Sequence, residues 1–116
     1  MHQVKMEAEF KQILASDKPV VAVFKAVWCA DCHYIEPFMP ELTAKYAEDF
    51  TFVHIDRDEL PDLCSELNVL GIPSFIVFVG TQDVTRFVSK LRKTREEIEE
   101  FLDKSLQVVR AYPQKP

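Results

Sequence analysis

Hydrophobic residues change their spacing several times along this chain, and each change marks an element. Met6, Phe10, Ile13 and Leu14 recur at helical intervals and predict an opening helix, which Ser16, Asp17 and Pro19 bring to an end. Val20-Val21-Ala22-Val23-Phe24 is a nearly unbroken apolar run, the pattern of a strand covered on both faces. From Asp31 the period is helical again, through Ile35, Phe38, Met39, Leu42 and Tyr46 to about Ala47. Pro37 predicts a kink there, because proline has no backbone N–H to give the helix. Residues 50–55 read as a second strand, and Leu60, Leu63, Cys64 and Leu67 as the stripe of a short helix. A third apolar run, residues 74–79, stops at Gly80, and residues 84–88 alternate, which predicts a hairpin across Gly80 to Asp83. Thr94 and Glu97 have the spacing of a capping box, and Ile98, Phe101, Leu102, Leu106 and Val109 carry the last helix onward.

Strands alternating with helices, then a hairpin, predict an α/β fold: a central mixed sheet of four to five strands flanked by helices on both faces. At 116 residues and 47% hydrophobic, the chain fits a single domain over residues 1–116, with residues 110–116 as a frayed tail. Fourteen basic against nineteen acidic residues leave a formal charge of −5, which argues against nucleic acid or an anionic membrane as the main partner. Met1-His2-Gln3-Val4-Lys5 is no secretory leader and no apolar run is long enough to span a bilayer, so a cytoplasmic monomer is the expectation.

Chemistry concentrates at Trp28-Cys29-Ala30-Asp31-Cys32, where an apolar strand meets a helix. Two thiols two residues apart can open and close a disulfide, and the first of them, at the helix mouth, gains from unpaired N–H groups and the positive end of the dipole. Cys29 is therefore the expected nucleophile and Cys32 the resolving thiol. Cys29-Ala30-Asp31-Cys32-His33 also has the spacing of covalent haem attachment, but haem would need export and a second axial ligand. A zinc site lacks a second ligand pair. Cys64 lies on an inward stripe and reads as a structural thiol, His33 as a solvated helix residue, and His2 and His54 carry no signal. The Glu96, Glu97, Glu99 and Glu100 run reads as a solvated helix face.

Trp28 before the cysteines, Pro37 five residues after the second, and Gly71-Ile72-Pro73 ahead of a strand resemble the thioredoxin family over roughly residues 4–109. The resemblance implies a thioredoxin-like fold and a thiol–disulfide oxidoreductase that reduces protein disulfides, with the Cys29–Cys32 pair as its own redox group and no metal or organic cofactor. It implies a cis Ile72-Pro73 bond facing the thiols, with Trp28, Ile72 and Pro73 forming the substrate contact surface. Disulfide-containing proteins would be substrates, and an external reductase or small thiol the electron donor. A redox-silent or sensor module, binding partners through the groove around Trp28 and Pro73, is the alternative.

Several positions depart from the family pattern. Ala30 and Asp31 replace the usual Gly-Pro between the cysteines, and the Asp31 carboxylate is expected to oppose a thiolate at Cys29, favouring a reducing couple. The family's buried Asp, six residues before the first cysteine, is Val23 here, and its companion Lys is Phe52. That proton relay is missing, which predicts slow turnover, with Lys25, His33 or a water as substitutes. The glycine common after the last strand is replaced near Ser89 or Lys90, which predicts an altered groove rim.

Overall fold

The apolar run of β2 (Val20–Lys25) forms the middle of a five-stranded sheet. A computed structural model describes residues 1–112. Around β2 the chain forms β1 (His2–Val4), α1 (Glu7–Leu14), α2 (Ala30–Ile35), a 3-10 turn at Glu36–Phe38, α3 (Met39–Lys45), β3 (Thr51–Asp56), α4 (Pro61–Glu66), β4 (Ser74–Val79), β5 (Gln82–Phe87) and α5 (Arg95–Ala111). Strand order is β1-β3-β2-β4-β5: the first three are parallel, and β4 runs antiparallel to both β2 and β5.

Alternate residues of the buried strands feed two core layers, as a period of two requires. Ala22, Phe24, Ile76 and Phe78 pack with Phe10 and Leu14 of α1 and Leu63 and Cys64 of α4. Val21, Val23, Phe75 and Val77 pack with Ile35, Met39, Leu42, Ile98 and Leu102 from α2, α3 and α5. Helices thus cover both faces of a mixed sheet, the expected thioredoxin-like architecture. Among the described residues no helix is long and apolar enough to cross a membrane.

Four local details differ from the reading of the sequence. A fifth strand, β1, pairs parallel with β3 at the edge; only Val4 of its three residues is buried, so no periodicity announces it. The β4–β5 turn is tighter than expected, with Gly80 at φ 59° and β5 beginning at Gln82. A bulge sets Phe78 opposite Asp83 and Val77 opposite Thr85, so Val84 is the extra residue and the alternation read from Val84 starts late. Arg110 and Ala111 close α5 instead of fraying; residues 113–116 lie outside the described residues.

Pro37 does more than kink its helix. It breaks the stretch into α2 and α3 around the 3-10 turn, while Pro40 is accommodated in the first turn of α3, where its missing N–H has no helical partner to lose. The capping box forms: Thr94 Oγ1 accepts from the Glu97 N–H at 3.1 Å, and Glu97 accepts from the Thr94 N–H at 2.9 Å.

Candidate active site

Strand β2 ends at Lys25, and a four-residue loop delivers Cys29 to the N-cap of α2 in extended conformation. Its own N–H donates to Ala26 O at 3.2 Å, and its sulfur accepts the Cys32 N–H at 3.2 Å. A thiol thus takes the capping place where an Asn, Ser or Asp oxygen usually stands. Across the sequence, the cis Ile72-Pro73 segment closes the other side, with the Cys29 thiol 3.9 Å from the Ile72 carbonyl oxygen. Cys29, Cys32, Ile72 and Pro73 are therefore brought together, all buried, with Cys29 at 6% exposure and Cys32 at 1%. The three cysteines stand as free thiols. Burial, then the hydrogen bond with Cys29, pushes the Cys32 thiol up to about 12.

Trp28 is no core aromatic. It is 64% exposed, and its indole N–H donates to an Asp58 carboxylate oxygen at 2.7 Å. Asp58 is fixed in turn by its N–H bond to Asp56 at 2.8 Å. Val27, Leu70 and Leu91, in the loops before α2, before β4 and after β5, are also exposed apolar side chains. His33 braces the loop: one ring nitrogen lies 2.6 Å from the Val27 carbonyl and the other 3.1 Å from Glu36. The Val27 carbonyl first, then Glu36, holds its pKa above the ordinary histidine value. Both nitrogens are engaged within the chain, which leaves neither as an axial ligand.

Ala30 opens α2 exposed to solvent. Asp31 meets a partner that the sequence did not disclose: its carboxylate accepts from Arg92 Nε at 2.8 Å, and the same guanidinium lies 4.3 Å from the centre of the Tyr34 ring. The expected opposition between Asp31 and a Cys29 thiolate is therefore offset by a neighbouring cation.

Val23 and Phe52 both sit in the second core layer, so the strands carry neither the carboxylate nor the amine of the family relay. Next to Val23 in the register is His54, whose Nδ1 is buried without a partner among the described residues. Burial pushes its pKa down to about 4. With Lys25, His33 and Asp56 it lines a cavity of about 260 Å³. In the loop after β5 Lys93 is buried, its ammonium bonded to Ser89 and Leu91. Cys64 lies in the first core layer, its thiol pushed up by burial. No group of three or more His, Cys, Asp and Glu side chains among the described residues is placed to hold a metal ion. Arg92, Lys93, Asp58 and His54 are the residues of this neighbourhood that linear pattern did not single out.

Comparison with known proteins agrees with this geometry. The thioredoxin family model matches residues 2–104. Thioredoxin X, chloroplastic, of Arabidopsis thaliana is 36% identical over 98 residues, covering 84% of this chain and 54% of the relative. The chain thus spans about half the length of that protein. A thioredoxin of Alicyclobacillus acidocaldarius is 31% identical over 101 residues, covering 87% of this chain and 94% of the relative. Among solved structures, a Plasmodium falciparum thioredoxin superposes with a TM-score of 0.81 at 25% identity, covering 90% of this chain and 98% of that one.

Proposed function

The chain belongs to the thioredoxin family, and from that premise we propose that it is a thiol–disulfide oxidoreductase that reduces protein disulfides through Cys29 and Cys32. The observation that carries the assignment of roles is the unequal setting of the two sulfurs. Cys29 caps α2 and accepts the Cys32 N–H at 3.2 Å, a bond that strengthens when the sulfur is an anion. Cys32 is enclosed and held as a thiol, with its pKa near 12.

Cys29 as thiolate attacks one sulfur of a substrate cystine. The substrate S–S bond breaks, a mixed disulfide forms, and the departing substrate sulfur takes a proton. Burial is the largest cause of the raised Cys32 pKa, and the hydrogen bond and the charge of Cys29 add to it; these two contributions fall away once Cys29 is tied up in a neutral mixed disulfide. The first step thereby releases Cys32 to lose its proton and attack Cys29. The mixed disulfide breaks, and the second substrate thiol leaves. Two electrons and two protons have passed to the substrate, and an external reductase or small thiol returns them.

Trp28, held out by Asp58, together with Ile72 and Pro73, forms the surface that meets the substrate chain, and Val27, Leu70 and Leu91 widen it. Three cysteines, with one of them buried apart from the pair, fit a reducing compartment, and we place the protein in the cytoplasm acting as a monomer.

The test is titration in thiol/disulfide buffers with alkylation and mass measurement, beside reduction of a disulfide-containing test protein. We expect a reversible two-electron transition confined to Cys29 and Cys32. Cys29→Ser is expected to abolish reduction, and Cys32→Ser to accumulate a mixed disulfide at Cys29. Reversible titration without catalysis would make the protein a sensor, and a pair that never closes would make it a binding module.

A further inference from the structure

Lys93 is the only basic side chain in the interior among the described residues, at 1% exposure. A buried ammonium is costly unless its donors are met. Here the Ser89 carbonyl, the Ser89 hydroxyl and the Leu91 carbonyl each accept from Nζ at 3.2 Å, and the Phe87 ring centre lies 5.0 Å away. Three acceptors match the three donors of the charged form. None of these partners is a carboxylate, so the charge is solvated without being cancelled.

The loop that builds this cage is wedged between both walls of the thiol site. The Ser89 carbonyl oxygen would lie 2.4 Å from a Cβ at Gly71, so the loop abuts the segment leading into Ile72-Pro73. On its other side Arg92 grips Asp31 on α2. Burial holds the Lys93 pKa below the ordinary lysine value, and the groups that oppose this are the Cys32 thiol, Glu97 on α5, Asp31 on α2 and the Cys29 thiol that caps α2. Asp31 is already paired with Arg92, and Glu97 is engaged with the Thr94 N–H. The anions left for Lys93 to stabilise are the thiolates.

We propose that Lys93 is the positioning charge of the thiol pair, a caged ammonium that stabilises whichever of Cys29 and Cys32 is ionised and supplies from the 89–93 loop the positive charge that β3 lacks at Phe52. The inference rests on the reading of Cys29 and Cys32 as a redox pair. Lys93 transfers nothing. It keeps its three protons while Cys32 gives its own to the departing substrate sulfur or to water. Stabilising thiolates favours the reduced pair, so removing the charge makes the thiols harder to ionise and the disulfide easier to form. Coupling is reciprocal: an anion that Lys93 stabilises must in turn hold Lys93 protonated to higher pH.

Two measurements decide it. In Lys93→Met, which fills the space without a charge, the alkylation rate of Cys29 is followed across pH, and the dithiol–disulfide equilibrium is followed in glutathione buffers. The midpoint is expected to rise by about one pH unit, roughly tenfold less thiolate at neutral pH, with the equilibrium displaced toward disulfide. In the unaltered protein, the ¹³Cε resonance of Lys93 is expected to titrate at higher pH in the reduced form than in the oxidised form. An unmoved alkylation midpoint overturns the proposal, as do identical Lys93 titrations in the two redox states; should Lys93→Met not fold, the second measurement decides alone. If no disulfide forms between Cys29 and Cys32 in either protein, the redox reading falls and takes this one with it. A disulfide that forms but is indifferent to Lys93 sinks only the proposal made here.

Discussion

Strand β2 leads into the thiol loop with Val23, in a layer of aliphatic and aromatic side chains that includes Phe52, whereas the loop after β5 brings Arg92 to Asp31 of α2 and buries Lys93. The first side has no polar side chain at the position where the family resemblance places a carboxylate. The second carries two cations, one paired with Asp31 and one caged by carbonyls and a hydroxyl. A strand interior can hold a charge only if another side chain reaches it, because its own backbone groups are spent on the ladder. A loop has spare carbonyls, and Lys93 uses those of Ser89 and Leu91. Charge near a thiol pair is thus cheaper to lodge beside the sheet than within it.

Val23→Asp is the harshest challenge to that contrast. It places a carboxylate among Ile35, Phe75, Val77 and the other apolar side chains of that layer, a loss of about 4 kcal/mol at neutral pH by urea unfolding. Burial raises the pKa of such an acid in the folded state, so the unfolded chain binds fewer protons and stability should recover as pH falls toward the ordinary carboxylate range. A variant as stable as its parent at neutral pH would mean that the strand side is wetter than its packing indicates.

His54, the register neighbour of Val23, tests the same side without a new residue. Its folded pKa of about 4 lies below the ordinary histidine value of 6.5, so its contribution is complete above 6.5 and is lost as pH falls toward 4. The loss is at most about 3 kcal/mol, less to the extent that solvent reaches the ring. His54→Gln should flatten the stability–pH curve across that window, and an unchanged curve would assign the acid sensitivity elsewhere.

Where residues are governed by their neighbours in sequence, the chain could be read directly. The runs that became β2 and β4, the Thr94–Glu97 box, the helix break at Pro37 and the meeting of Cys29, Cys32, Ile72 and Pro73 all follow from local spacing or family motif. Long-range pairing was opaque. β1 exists because backbone groups of three residues find β3, and the bulge at Val84 displaces an alternation that looked regular. Lys90-Leu91-Arg92-Lys93 has the composition of a solvated turn, and nothing in its order marks Lys93 as interior, since the acceptors that admit it are mainly carbonyls, which every residue has. His54 was equally silent. A lone histidine in a strand declares neither the burial of its Nδ1 nor the cavity it borders.

On the loop side, Gly71→Ala drives a methyl group into Ser89 backbone atoms that would stand at 2.4 and 2.5 Å. Backbone has no rotamer with which to yield, so the loop must shift, at about 2 kcal/mol by thermal or urea unfolding. Ser89 also supplies two of the three acceptors of Lys93, so the same variant should carry part of the alkylation shift expected of Lys93→Met. Lost stability with an unmoved Cys29 midpoint would uncouple the cage from the thiols.

Asp31 and Arg92 give the smallest effect and the sharpest sign. Their side chains are part-exposed, so the pair contributes less than about 1 kcal/mol, and neither single substitution should cost more. The electrostatic consequences nonetheless run in opposite directions. Asp31→Asn frees the positive charge of Arg92 beside the thiols and should lower the Cys29 alkylation midpoint by a few tenths of a pH unit, while Arg92→Gln leaves the Asp31 carboxylate unopposed and should raise it by a similar amount. Raising ionic strength should shrink both shifts while leaving the buried Lys93→Met shift largely intact, because salt screens exposed charges far more than enclosed ones. Shifts of the same sign in the two variants would mean that the clamp acts by holding α2 in place and that its charges do not reach the sulfurs.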